Sequence, residues 1–136
     1  MPQDDPIANG PREWLDRACS ALALAKLPRP AKALWEDQCF LAQQAAERAI
    51  KAVYLSKNLT FRYIHDLEEL GKKLEDAGIP IPSIVKDAVV LTRYAVETRY
   101  PGPVEPVEEE EYQEAIRLSG AVVAWAEGII DSPDTA

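Results

Sequence analysis

The 136-residue sequence contains only one histidine and two cysteines, and this scarcity limits the chemistry that it can support. A structural zinc site normally takes four Cys or His ligands, so we predict no metal site. Cys19 and Cys39 both fall inside helical patterns, and we expect reduced core residues rather than a disulfide, as is usual in the cytosol. We therefore expect a protein of the cytoplasm that carries no cofactor.

The chain also lacks an apolar run long enough to span a bilayer, and no charged-then-apolar signal segment opens it. Lys and Arg number 15 against 23 Asp and Glu, which gives a formal net charge of −8. Non-specific binding to nucleic acid depends on neutralising phosphates, so this charge argues against stable non-specific DNA binding. The composition and length are those of a single globular domain without membrane association, although a local basic pocket remains compatible with them.

Residues 35–57 contain neither Gly nor Pro, and their helical periodicity predicts one long helix. Beside the apolar face of this helix runs a polar stripe that is bracketed by Phe40 and Tyr54. Two Gln beside two aromatic residues rarely face only solvent, so we expect this helix to be covered on more than one side. The polar stripe consists of Gln43, Gln44, Glu47 and Lys51.

Four further helices are predicted from periodicity and from the Pro and Gly residues between them. The first covers residues 12–27, and a shorter one covers residues 65–77 and should end at Gly78. Ser83 is placed to cap a helix over residues 84–98, and apolar residues occupy nearly every side of this helix. The last helix opens with the acidic residues 108–111, which favour the positive end of a helix dipole.

Five helices with short connections and no strand ladder predict an all-α fold. We expect an up-and-down antiparallel helical bundle of four long helices plus one short helix. Residues 1–10 are predicted to be a flexible N-terminal segment, residues 11–131 the bundle domain, and residues 132–136 a tail.

The apolar pattern of the helix over residues 84–98 also predicts a homodimer. Its own bundle can cover one side of this helix, and a second subunit is the simplest cover for the other side. The polar stripe of the central helix is assigned either to this interface or to packing between helices. The expected interface residues are Gln43, Gln44, Glu47, Lys51, Val89, Leu91 and Ala95.

An up-and-down path would collect hydrogen-bond donors at one pole of the bundle. Arg and His side chains there could hold a phosphate or a carboxylate. The competing interpretation is structural, with these side chains capping helices or pairing with acidic neighbours. The predicted ligand-binding residues are Lys57, Arg62, His65, Arg99 and Tyr100.

Three motifs resemble one protein family. Residues 43–52, QQAAERAIKA, are similar to the second-helix signature of HEPN domains (higher eukaryote and prokaryote nucleotide-binding). His65-Asp66-Leu67 is similar to a family motif at the start of the short helix, and the segment 99–102, RYPG, is similar to its Arg-Tyr-Pro segment after the fourth helix. The resemblance covers about residues 12–130, and the three motifs occur in the family's order.

The resemblance implies an all-α, usually dimeric protein of the prokaryotic cytoplasm. Many family members are encoded beside, or fused to, a minimal nucleotidyltransferase, and are thought to bind that enzyme, its nucleotide or its substrate. Another branch consists of metal-independent ribonucleases, including toxins, with an Arg and a His on the fourth helix. There the His acts as a general base or electrostatic group and the Arg stabilises phosphate charge. Here the only His is His65, which lies outside the fourth helix.

Three hypotheses follow for the function. The first, which we favour, is a non-catalytic binding module: the partner of a minimal nucleotidyltransferase in a two-component system of the toxin–antitoxin kind, binding an ATP-like nucleotide or the enzyme's substrate. The second is a metal-independent ribonuclease or toxin that uses Arg62, His65 and Arg99. The third is a purely structural, dimeric interaction protein.

Overall fold

The computed structural model describes residues 6–61, 66–96 and 106–131, and these residues form helices and connecting loops with no strand. This confirms the predicted all-α fold class. No helix within the described ranges is long and apolar enough to cross a membrane. The elements are α1 Pro6–Ala25, α2 Trp35–Ser56, α3 Leu67–Asp76, α4 Ser83–Asp87, a 3-10 segment Ala88–Thr92, α5 Arg93–Val96 and α6 Glu109–Ile130.

Helix α1 starts earlier than its periodicity predicted and is kinked near its start. Gly10 has a φ of 79°, which interrupts the helical backbone. Pro11 then opens the regular part of the helix, where its missing N–H costs no hydrogen bond. Residues 6–10 are thus helical apart from this kink, whereas an irregular lead-in was expected there.

Helix α2 is the central column, as predicted, and it is covered on more than one side. Its small side chains allow the neighbouring helices to approach closely, and the Ser119 hydroxyl of α6 donates a 2.7 Å hydrogen bond to the Ala42 carbonyl. On another flank the Tyr54 hydroxyl donates to the Leu70 carbonyl of α3 at 2.6 Å. The fully buried alanines of α2 are Ala42, Ala45, Ala46, Ala49 and Ala52.

Helix α1 runs antiparallel to both of its large neighbours. The Tyr112 hydroxyl, near the start of α6, donates to the Ala25 carbonyl at the end of α1 at 2.6 Å. At the other end, Arg12 forms an ion pair with Asp131 just after α6. The buried Gln38 amide, near the start of α2, also donates to the Ala25 carbonyl, at 3.2 Å. The end of α1 and the starts of α2 and α6 therefore lie at one pole of the bundle.

The fourth helical region differs from its prediction in two ways. Residues 83–96 form α4, a 3-10 turn and α5 in succession, because β-branched Val89, Val90 and Thr92 weaken the α-helix there. Ser83 does not cap this region, since Pro82 holds the N-cap position and no side chain accepts a capping hydrogen bond. Val89 and Val90 are 36% and 55% exposed, so the chain itself buries one face of this region. The buried face carries Val85, Ala88, Leu91, Tyr94 and Ala95.

Candidate functional site

Four of the five predicted ligand-binding residues, Arg62, His65, Arg99 and Tyr100, lie outside the described residues. The fifth, Lys57, is exposed and occupies the C-cap position of α2. The described residues on either side of segment 62–65 show how the chain enters and leaves it.

The entry to this segment is fixed by Phe61. Its ring makes edge-to-face contacts with Trp14 and Tyr54, at centroid distances of 5.5 and 5.9 Å. The Lys51 ammonium lies 5.1 Å from the centroid of the same ring, within the range of a cation–π interaction. The residue that precedes Arg62 is thus held by α1 and α2 together.

The exit from this segment is fixed by the start of α3. The Asp66 carboxylate caps the helix by accepting a 3.0 Å hydrogen bond from the Glu68 amide. The Leu67 amide donates a 3.0 Å hydrogen bond to the Thr92 hydroxyl, which ties α3 to the 3-10 segment. Sequence reasoning missed this role of Thr92, because a hydroxyl 25 positions along the chain carries no local signal. The flanks of Arg62 and His65 are therefore both anchored in the bundle.

Beneath Phe61, α2 carries a buried polar row. Gln43, Glu47 and Lys51 follow one another at four-residue spacing and are 0%, 5% and 3% exposed. The Lys51 ammonium lies 2.7 Å from one Glu47 oxygen, and the Gln43 amide donates to the other oxygen at 2.9 Å. An ion pair at this spacing is ordinary on a helix surface, but burial raises the cost of losing either partner. The row therefore belongs to the packing between helices, one of the two roles proposed for it.

The seven residues predicted at a dimer interface differ in how much of each side chain is exposed within one chain. Gln44 is half-buried, and Val89 is 36% exposed beside the still more exposed Val90. The other five are at most 5% exposed within one chain, so their side chains offer no surface to a second subunit. These five are Gln43, Glu47, Lys51, Leu91 and Ala95. An interface on the fourth helical region would have to use the outer face with Val89 and Val90.

A second polar cluster, which the sequence did not reveal, joins α5 to α6. One Glu111 oxygen accepts hydrogen bonds from the Tyr94 hydroxyl at 3.0 Å and from the Arg93 guanidinium at 2.7 Å. Burial, followed by the hydrogen bond to Glu111, raises the pKa of Tyr94. Burial raises the pKa of the neighbouring Cys39 thiol to about 12, with the charge of Glu111 contributing next. Cys39 is therefore a protonated, weakly nucleophilic core residue at neutral pH.

Both cysteines are free, and no metal-binding group of three or more His, Cys, Asp or Glu occurs within the ranges that the structure describes. The acidic residues of the α5–α6 cluster are engaged by protein donors instead. The amide of Val107, just before α6, donates to Glu36 at 3.2 Å, and Glu111 is shared by Tyr94 and Arg93. These carboxylates therefore serve the contacts between helices.

Arg99 and Tyr100, with which Lys57 was grouped, lie outside the described residues, but the described part of the fourth helical region ends far from Lys57. Tyr94 lies beside Cys39, in the first third of α2, whereas Lys57 follows the last residue of that helix. A helix of 22 residues is about 33 Å long, so these groups lie near opposite ends of it. The reason is that the end of α3 lies beside the end of α2, since Lys73, Asp76 and Ala77 line one cavity with Tyr54, Leu59 and Thr60, so the fourth helical region begins near that pole and runs away from it.

The architecture defines a small helical-bundle domain: a central second helix with a buried polar row, flanked by α1 and α6, and a short third helix tied to the fourth. The HEPN domain family model matches residues 11–129. The chain thus belongs to the HEPN domain family, which confirms the resemblance seen in its motifs.

Two solved structures support this assignment. TT1696 from Thermus thermophilus is 31% identical, with a TM-score of 0.75 over 86% of this chain and 95% of that one. ST0689, an archaeal HEPN homologue, is 23% identical, with a TM-score of 0.71 over 89% of this chain and 98% of that one, and it shows the shared fold. A comparison with curated proteins found no match.

Proposed function

We propose that this protein is a non-catalytic HEPN binding module, a homodimer that serves as the nucleotide- or substrate-binding partner of a minimal nucleotidyltransferase in a two-component system. The observation that carries the proposal is the absence of histidine from the fourth helical region, since the single histidine of the sequence is His65. The ribonuclease branch of the family needs both an Arg and a His on that helix. Arg93, which does lie there, is already paired with Glu111.

The ligand class follows from the donors of the family motifs. Arg99 and Arg62 offer guanidinium groups that bind phosphate oxygens in a two-pronged manner, and the ring of Tyr100 can stack on a base. The anchored flanks, Phe61 on one side and Leu67 on the other, support preorganisation of the segment that carries Arg62 and His65. Preorganised donors bind an anion more tightly because less freedom is lost on binding.

The test compares Arg99→Ala with the unchanged protein in titrations with ATP and with a nucleotidyltransferase encoded beside it. We expect affinity to fall by about 10- to 100-fold, the range for a hydrogen bond to a charged group. The matched control is Arg117→Ala, because Arg117 is an exposed arginine of α6 whose partner is Glu114. If Arg99→Ala instead lowers the melting temperature and leaves binding intact, Arg99 is structural and the proposal fails.

One observation favours the ribonuclease alternative as a second candidate. Arg62 and His65 share a single segment whose two flanks are anchored, so a rearranged catalytic pair there has local support. We expect no cleavage of single-stranded RNA in the absence of metal, because the arrangement on the fourth helix is missing. Cleavage that His65→Ala abolishes would establish the alternative instead.

A further inference from the structure

A cavity of about 490 Å³ opens between α3 and α4, beside α2 and α6, and among the described residues Val89 is the one predicted site residue that lines it. Its volume lies within the range of small-molecule sites in proteins, roughly 300–1,000 Å³. Its floor is apolar and comes from five separate parts of the chain. The floor residues are Ile50, Leu67, Leu74, Ile81, Val85 and Trp125.

Gly71 keeps this cavity open. It lies in the interior of α3, where glycine is less favourable than alanine, and it has no positive φ that would require glycine. A Cβ atom added at this position would meet only Ile81 Cδ1, at 3.7 Å, which is an ordinary contact. Packing of the bundle therefore does not require glycine here, and a larger side chain would occupy the cavity.

The rim of the cavity has an excess of carboxylates. Lys86 of α4 and Glu75 of α3 form an ion pair at 2.7 Å and neutralise each other. The remaining charged rim residues are Glu68, Asp76 and Lys72, all exposed, which leaves one net negative charge. The indole of Trp125 adds an aromatic face, which also attracts cations.

We propose that this cavity binds a small amphipathic cation, an amine with an aromatic or branched aliphatic body. The body fills the apolar floor beside Gly71 and Trp125, and the ammonium group pairs with one rim carboxylate, Glu68 or Asp76, which lie about 12 Å apart along α3. A nucleotide is an anion and does not suit this site, so the proposal is independent of the nucleotide site at Arg99.

The test uses two probes of matched shape and opposite charge, phenethylamine and 3-phenylpropionate, titrated into the full-length protein. Amide and indole chemical shifts are recorded at each step by NMR. We expect the amine to shift the Gly71 amide and the Trp125 indole saturably, and the carboxylate to bind roughly twofold to fivefold more weakly, because an exposed charge pair contributes up to about that factor. Equal binding of the two probes, or no saturable shift with the amine, would overturn the proposal.

Two kinds of variant locate the probe. Gly71→Leu should abolish amine binding, whereas Gly120→Leu should not, because a Cβ on this second helical glycine meets nothing within 4 Å. The double variant E68Q/D76N should weaken the amine by roughly twofold to fivefold without changing the fold, since both side chains are exposed. Unchanged amine affinity in either the folded Gly71→Leu protein or the double variant would contradict the assignment. None of these variants substitutes Arg99, so all of them should still bind ATP.

Discussion

Leu91 and Val89 are two residues apart in the 3-10 segment, yet one is buried and the other is partly exposed. Leu91 is fully buried and Val89 is 36% exposed. Leu91→Asp should lower the free energy of unfolding by several kcal/mol, because it buries an unpaired charge. Val89→Asp should cost less than about 1 kcal/mol within a single chain, as surface substitutions do. Urea denaturation of both variants, at a protein concentration low enough for the chain to be monomeric, measures this difference, and equal losses would contradict the exposure pattern.

Glu47 and Lys51 provide a second test at the scale of residues. Lys51→Met should cost about 3–5 kcal/mol, because it removes the lysine partner of a buried carboxylate, Glu47. Adding Glu47→Gln to Lys51→Met should recover part of that loss. The exposed pair Glu114–Arg117 is the matched control, and breaking it should change the free energy of unfolding little, because solvent screens the pair. Similar losses from both pairs, measured by urea denaturation, would show that the first pair is not buried in solution.

Stability at alkaline pH should depend on buried acids, among them Cys39 and Tyr54. Burial raises the pKa of Cys39 from 9.0 to about 12 and that of Tyr54 from 10.0 to about 12. The folded protein keeps these protons when the unfolded chain has lost them, so stability falls as the pH rises from about 9 to 12, on the order of a few kcal/mol.

The measurement for this alkaline loss is the free energy of unfolding at several pH values between about 8 and 11. Cys39→Ala should flatten the decline from about pH 9 upward, and Tyr54→Phe should flatten it from about pH 10. Tyr54→Phe should also lower stability at neutral pH, because it removes the hydrogen bond to the Leu70 carbonyl. A decline of unchanged slope in both variants would mean that other groups control it.

At the scale of elements, the sequence predicts helices well where local signals agree. Residues 35–57 lack Gly and Pro and have a continuous apolar face, and α2 follows at Trp35–Ser56. The leucines of α3 lie inward as predicted, and Gly78, with a φ of 91°, follows directly after its end. Prediction fails where the outcome depends on the packing of the helices in three dimensions: the break within residues 83–96, and the burial within one chain of Leu91 and Ala95, which were predicted at the interface.

For the candidate site, too, local sequence motifs are readable, whereas the packing around them is not. Family motifs contain His65, Arg99 and Tyr100, because short motifs are readable without a structure, whereas Arg62 was predicted only from the expected path of the chain. The described residues on either side of segment 62–65 are held by long-range contacts, namely the edge-to-face packing of Trp14 on Phe61 and the hydrogen bond from Leu67 to Thr92. No periodicity or spacing in the sequence predicts such contacts, because they depend on how the helices are arranged.

Thr92 links two elements, and its removal should loosen one of them. Thr92→Val leaves the Leu67 amide without its acceptor and should cost about 1 kcal/mol. Hydrogen exchange at the start of α3 should accelerate more than exchange in the centre of α2. Thr60→Val is the control, because Thr60 is an exposed threonine in the loop after α2. Unchanged exchange at Leu67 would show that the bond does not hold α3 in place.

At the scale of the whole molecule, the remaining question is what covers the outer face of the fourth helical region. Val89 and Val90 are adjacent in the chain and both exposed, in a protein whose net charge of −8 opposes non-specific association. A stable dimer buries about 1,200–2,000 Å² in total, so two valines can only form the centre of a larger contact. Half-buried Gln44 is the other predicted interface residue that keeps some surface.

We expect light scattering at micromolar concentration to give twice the mass of one chain. The double variant V89D/V90D should give the mass of one chain, because two carboxylates facing their symmetry mates repel each other across an isologous interface. It should remain helical, since neither side chain is buried within the chain. Leu24→Asp is the control, because Leu24 is a 50% exposed leucine on α1, outside the proposed interface, and this variant should remain a dimer.

Val89 also lines the cavity between α3 and α4, so Gly71→Leu, which leaves both valines in place, separates dimerisation from amine binding. A single-chain mass for the unchanged protein would refute the homodimer, and a dimeric V89D/V90D would move the interface to another surface.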